Sequence, residues 1–172
     1  MRPSEIQCFQ RRVTLRDGSR VLIRSLTPAD ASELLRFYGS LSVETNYLRF
    51  LNYRPSSDWI LEGLANVNFE DNIALGAFTE KQELVGEARF SLDKGTGRAE
   101  IGIVVSDEWQ GKGLGLNLIQ TLGYIALRIG VKTLYATVSP VNYLVMAALR
   151  SAGFRIVKSN LYLEEKLFEA DL

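Results

Sequence analysis

The chain has no histidine and only one cysteine, Cys8, among its 172 residues. Without histidine, the commonest general base and the commonest metal ligand are both missing. Serine–histidine and cysteine–histidine mechanisms are excluded, and no metal site is expected. One cysteine cannot close an internal disulfide, so the expected location is the cytoplasm. Charge of one sign is not in excess: 20 lysines and arginines balance 20 aspartates and glutamates. No net field therefore points to nucleic acid or to an anionic membrane, and neither is an expected partner. No apolar run approaches the length of a membrane span, and the opening MRPSEIQCFQRR lacks the apolar core of a signal peptide. In an enzyme of this composition, carboxylates, tyrosines, backbone amides and water must move the protons.

Apolar residues make up 47% of the chain, enough to bury the core of one domain of this length. A single domain over residues 1–172 is expected, with residues 1–12 as an N-terminal arm lacking fixed structure. The stretch that organises it is residues 99–130. Residues 99–105 carry branched apolar side chains at Ile101, Ile103 and Val105, interrupted by Glu100 and Gly102. That is strand composition with one more polar face. Gln110-Gly111-Lys112-Gly113-Leu114-Gly115 follows. Apolar residues then recur at Leu114, Leu118, Leu122, Ile125 and Ile129, the period of a buried helix face. A glycine-rich turn entering a helix N-terminus presents unpaired N–H groups and the positive end of the helix dipole, which suits a phosphate or pyrophosphate. A nucleotide-binding P-loop needs a hydroxyl residue after its lysine, but Gly113 follows Lys112. A dinucleotide fingerprint needs a third glycine where Leu116 stands.

The flanking segments read as a mixed α/β fold. Residues 13–16 and 20–24 form a hairpin around Asp17-Gly18-Ser19. Thr27-Pro28 opens a helix with Asp30 in its first turn, Ser42 caps a second helix through Leu51, and a third follows near residues 58–65. Residues 72–79, 83–92 and 98–105 form an antiparallel meander. Residues 133–138 are a strand, Asn142 caps a helix ending at Gly153, and residues 154–157 and 161–167 close the sheet.

Gln110-x-x-Gly113-x-Gly115 behind a strand, followed by Asn142 and then by Gly153-Phe154, resembles the GNAT superfamily of N-acetyltransferases over about residues 20–154. Ser40-Leu41-Ser42 and Tyr47-Leu48-Arg49-Phe50 look like the bacterial protein-lysine acetyltransferases within it. The resemblance implies an α/β, GNAT-like fold, with a mixed, mostly antiparallel sheet flanked by helices. It also implies acetyl-CoA as acyl donor. Backbone amides of Gly111, Gly113 and Gly115, flanked by Gln110, Lys112 and Leu114, would hold the pyrophosphate. Main-chain groups of Ile103, Val104 and Val105 would meet the pantetheine arm, with Asn142 beside it. A solvated lysine is the competing reading of Lys112, and a plain helix cap that of Asn142.

A lysine amine is protonated at neutral pH, and freeing its lone pair costs about 4–5 kcal/mol. Glu100 is the expected general base, since parity sets it with Gly102 and Val104 opposite Ile101 and Ile103. A surface pair with Arg98 or Arg89 is its competing role. Many family members carry a tyrosine general acid seven residues after the asparagine; here that residue is Leu149. Tyr47, Arg49 and Trp59 are candidates for the acceptor side, with core packing as the alternative. The expected partners are acetyl-CoA, a primary amine (a protein lysine ahead of a small molecule) and a second copy of the chain. A non-catalytic acyl-CoA sensor stands as the alternative of a different class.

Overall fold

Eight strands form one sheet whose middle supplies the candidate site. The computed structural model describes residues 1–50, 55–160 and 165–172. Helix α1 (Pro3–Gln7) and strands β1 (Gln10–Thr14) and β2 (Arg20–Ser25) open the chain. Helices α2 (Ala31–Ser40), α3 (Val43–Phe50) and α4 (Ser57–Ala65) follow. The meander is β3 (Asn72–Phe78), β4 (Leu84–Asp93) and β5 (Arg98–Val105). Then come α5 (Leu114–Arg128), β6 (Thr133–Val138), α6 (Tyr143–Ser151), β7 (Arg155–Asn160) and β8 (Glu165–Asp171). The strand order is β1-β2-β3-β4-β5-β6-β8-β7. Every neighbouring pair is antiparallel except β5 and β6, which run parallel. This is the mixed, mostly antiparallel sheet that the sequence implies. The expected continuation of α3 to Leu51 and the start of the last strand, residues 161–164, lie outside the described residues.

Alternation along the strands separates two apolar layers. Ala99, Ile101 and Ile103 of β5 join the cluster beneath α5, where Leu118, Leu122 and Ile125 are buried. Val104 joins the opposite cluster with Leu34, Phe37 and Tyr38 of α2 and Leu64 of α4. Glu100, Gly102 and Val104 therefore look toward α2–α4, as parity requires.

Residues 1–12 are not a loose arm. They form α1 and the first part of β1, with Ile6 fully buried. The Ser25 hydroxyl donates to the Ile6 carbonyl at 2.5 Å, and the Ser25 amide donates to the Phe9 carbonyl at 3.2 Å. Met1 and Phe9 also pack against the core, the N-terminal ammonium donates to the Arg128 carbonyl at 2.7 Å, and residues 10–12 pair with β2; these contacts reach distant segments and leave no local pattern in the sequence.

Under α2 lies a buried ionic group. The Glu87 carboxylate is fully buried; it accepts from the Tyr38 hydroxyl at 2.6 Å and from Arg89 Nε at 2.5 Å. Burial, with the neighbouring Glu87 charge, pushes the Tyr38 phenol well above its ordinary value. Glu87→Ala would strand the Arg89 cation, and a loss of about 3–5 kcal/mol in urea unfolding is expected.

Candidate active site

Strands β5 and β6 pair over only three positions, Arg98↔Thr133, Ala99↔Leu134 and Glu100↔Tyr135. Beyond Glu100, residues 101–105 keep their ladder with β4 but have no strand partner on the other edge among the described residues. A cavity of about 380 Å³ occupies the gap, between Gly102 and Ile103 on one side and Ala136 and Val138 on the other. Backbone groups inside a protein demand partners, and an open strand edge of this kind can pair with the amides of a ligand.

The same edge runs into the glycine loop. Gly111 and Gly113 adopt φ of 74° and 89°, a left-handed backbone that glycine enters without strain. Gly113 is the N-cap of α5, and its carbonyl accepts from the Asn117 amide at 3.2 Å. The N–H groups of residues 111–116 meet no acceptor among the described residues. A cavity of about 550 Å³ is lined by Ile103, Val104, Val105, Gln110, Gly111, Gly113, Gly115 and Asn142. Eight of the ten residues expected to bind the cofactor thus share one cavity.

The other two are placed differently. Leu114 is buried in the core beneath the sheet, leaving only its amide at the helix terminus. Lys112 pairs with Asp17 at 3.1 Å, and its ammonium sits 4.8 Å from the centre of the Trp109 ring. Hydrogen bonds from Ser19, then from Lys112, hold the Asp17 carboxyl down at about 2. Gln110 spends its carboxamide inside the protein, donating to the Val105 carbonyl at 3.0 Å and to the Thr45 hydroxyl at 3.1 Å. Asp107 completes this brace. It accepts from the Ser42 amide and hydroxyl and from the Thr45 hydroxyl, tying α3 to the end of β5. Burial pushes its carboxyl up, but these hydrogen bonds outweigh it and hold the group below its ordinary value.

Asn142 does cap α6, its side-chain oxygen accepting from the Val145 amide at 3.2 Å. It lines the large cavity as well. Asn142→Ala is expected to cost about 1 kcal/mol in thermal unfolding as a lost cap. A fall in ligand affinity measured at a temperature where the variant is fully folded would report its second role.

Glu100 is exposed on β5 and lines two smaller cavities, of about 380 and 280 Å³. It does not line the large one, although the 380 Å³ cavity shares Ile103 and Asn142 with it. The competing cations are taken elsewhere: Arg89 pairs with Glu87 and Arg98 with Glu169. Glu100 has no ion pair among the described residues, so its carboxylate is open to a proton donor. Leu149 is fully buried and has no proton to give. Tyr143 sits on the wall of the large cavity with most of its surface exposed.

Two arginines complete the picture. Arg16, on the β1–β2 loop, lines the large cavity and lies so close to Gly113 that a Cβ there would be 3.3 Å from its Nε. Its own amide donates to the Lys112 carbonyl at 3.1 Å. No local pattern marks Arg16, because the contact joins segments far apart in the chain. Arg49 lines all three cavities and covers Gly102, where a Cβ would collide with its guanidinium. Of the other acceptor-side candidates, Trp59 lines the 280 Å³ cavity and stacks edge-on against Phe50 at 5.1 Å, and Tyr47 is half exposed.

Comparison with known proteins places the chain in a family. The family model for the acetyltransferase (GNAT) domain matches residues 20–155. An acetyltransferase of Pseudomonas aeruginosa is 30% identical over 145 residues, which span 82% of this chain and 78% of that protein. The acetyltransferase Pat of Mycolicibacterium smegmatis is 28% identical over 87% of this chain, but the match covers 45% of Pat. Among solved structures, the GNAT domain of S. lividans PAT superposes with a TM-score of 0.87 at 26% identity, covering 95% of this chain and 97% of that one. Among the described residues, no helix is long and apolar enough to cross a membrane. The chain belongs to the GNAT family of N-acetyltransferases.

Proposed function

We propose that the protein transfers an acetyl group from acetyl-CoA to a primary amine by direct attack, with Glu100 as general base. One observation carries this reading: residues 103–105 on the open edge of β5 and the glycine loop at Gly111, Gly113 and Gly115, whose N–H groups meet no acceptor among the described residues, line one cavity, and Glu100, without an ion pair among those residues, lines the adjoining one. The family as a class uses acetyl-CoA, which supplies an activated acyl group with a thiolate leaving group. The residues here fit such a donor. The loop amides and the α5 dipole would receive the pyrophosphate, with Arg16 adding a cation. Main-chain groups of residues 103–105 would pair with the pantetheine amides and polarise the thioester carbonyl.

Glu100 would take the proton from the amine as the new C–N bond forms and the C–S bond breaks, with water protonating the departing thiolate. Direct transfer fits a chain whose one cysteine, Cys8, is exposed and does not line these cavities. A protein lysine is the acceptor that the resemblance to bacterial protein-lysine acetyltransferases favours. The test is calorimetric titration with acetyl-CoA, followed by thiol release over a panel of lysine peptides and small amines. Binding with release supports the assignment. Binding without release on any amine would replace it with an acyl-CoA sensor, and no binding would overturn the donor site.

A further inference from the structure

The 280 Å³ cavity carries two cations, Arg49 and Arg89, that the transfer chemistry does not use. It is lined by Arg49, Arg89 and Glu100, with Gly63 and Trp59 of α4 among its walls. Arg89 lies opposite Gly102 in the β4–β5 ladder, so its side chain shares the face over which Arg49 packs. Arg89 has Glu87 as counterion, although its Nη2 is buried without a hydrogen-bond partner. Arg49 has none. Its Nε is buried and unpartnered, and no carboxylate among the described residues reaches it within ion-pair distance. Residues 51–54, which follow α3, contain no acid. Its guanidinium packs over Gly102 and lies 4.9 Å from the centroid of the Phe50 ring.

A half-buried guanidinium without an anion is an expensive arrangement unless an anion arrives with a ligand. Glu100 and Arg49 face the same two smaller cavities. Resting on the acetyltransferase reading above, we infer that Arg49 selects the acceptor by binding a carboxylate close to the reacting amine. The amine faces Glu100 and the acid faces Arg49. The carboxylate belongs to the acceptor and not to the acyl donor, because the 280 Å³ cavity shares only Arg49 with the large one. Guanidinium and carboxylate match in shape, and a forked pair fixes orientation as well as charge. The same chemistry is offered by a free amino acid and by a lysine with an acidic neighbour in a peptide.

The experiment uses two matched acceptor pairs: a free amino acid against its carboxamide, and a lysine peptide with Asp beside the lysine against the same peptide with Asn. Thiol release is measured with acetyl-CoA for each, and binding of each acceptor is measured to protein saturated with coenzyme A. The carboxylate member of one pair should be preferred in kcat/KM and in affinity by about 10- to 100-fold, as for a charge-assisted hydrogen-bonded pair. The preferred pair identifies the source of the acid. In Arg49→Gln, assayed at saturating acetyl-CoA because Arg49 also lines the large cavity, the preference should vanish, and Arg49→Lys should restore part of it. Equal use of acid and amide by the unaltered protein, or a preference that survives in Arg49→Gln, would overturn the inference while leaving the acetyltransferase intact. Failure to bind acetyl-CoA would instead overturn the parent reading.

Discussion

Glu100→Gln is expected to lower the rate of acetyl transfer by about 100- to 10,000-fold, the range for removing a positioned general base. Acetyl-CoA affinity should be unchanged. The substitution keeps the size and hydrogen-bonding shape of the side chain and removes only the ability to take a proton. Glu100 is exposed and unpaired among the described residues, so little folding energy depends on its charge, and unfolding should be that of the parent. A loss in kcat and kcat/KM together, with the acetyl-CoA titration unaltered, is the signature of an interaction made only in the transition state. An unchanged rate would remove Glu100 from the mechanism and direct attention to a water relayed to another group.

Gly113→Asp is expected to reduce acetyl-CoA affinity by more than about 100-fold, the worth of two hydrogen bonds to a charged group. The left-handed backbone at φ 89° would cost a side chain about 1–2 kcal/mol. The added carboxylate would lie at the N-terminus of α5 beside Arg16. It would satisfy the loop amides and the arginine itself, occupying the place of the pyrophosphate and repelling it. The same contacts favour the helix terminus and offset part of the strain. Circular dichroism should therefore show a folded protein that calorimetry finds unable to bind. Retained binding would mean that the glycine loop does not hold the phosphates.

Both predictions begin from features legible in the sequence. The hairpin, the caps at Ser42 and Asn142, the meander and the apolar stripe of α5 follow from side-chain period and turn chemistry, which act over a few residues. The glycine loop was legible for the same reason: left-handed turns and unpaired amides belong to the segment that carries them. Residues 1–12 were not, because docking through Ile6 and Ser25 depends on β2 being in place.

The sequence by itself determined the elements after residue 12 and their order, the placing of Glu100 and Gly102 on one face of β5, and the glycine loop at the start of α5. Only the tertiary structure decided which charges are neutralised and which remain open. Glu87 takes Arg89 and Glu169 takes Arg98, leaving Glu100 without an ion pair among the described residues, while Asp17 withdraws Lys112 and the β1–β2 loop brings Arg16 to Gly113. It also decided that β6 leaves β5 after Glu100, opening the edge proposed to receive the acyl donor. The reason is physical. Backbone preference is local, whereas ion pairing and strand pairing are settled between segments that meet only when the sheet closes.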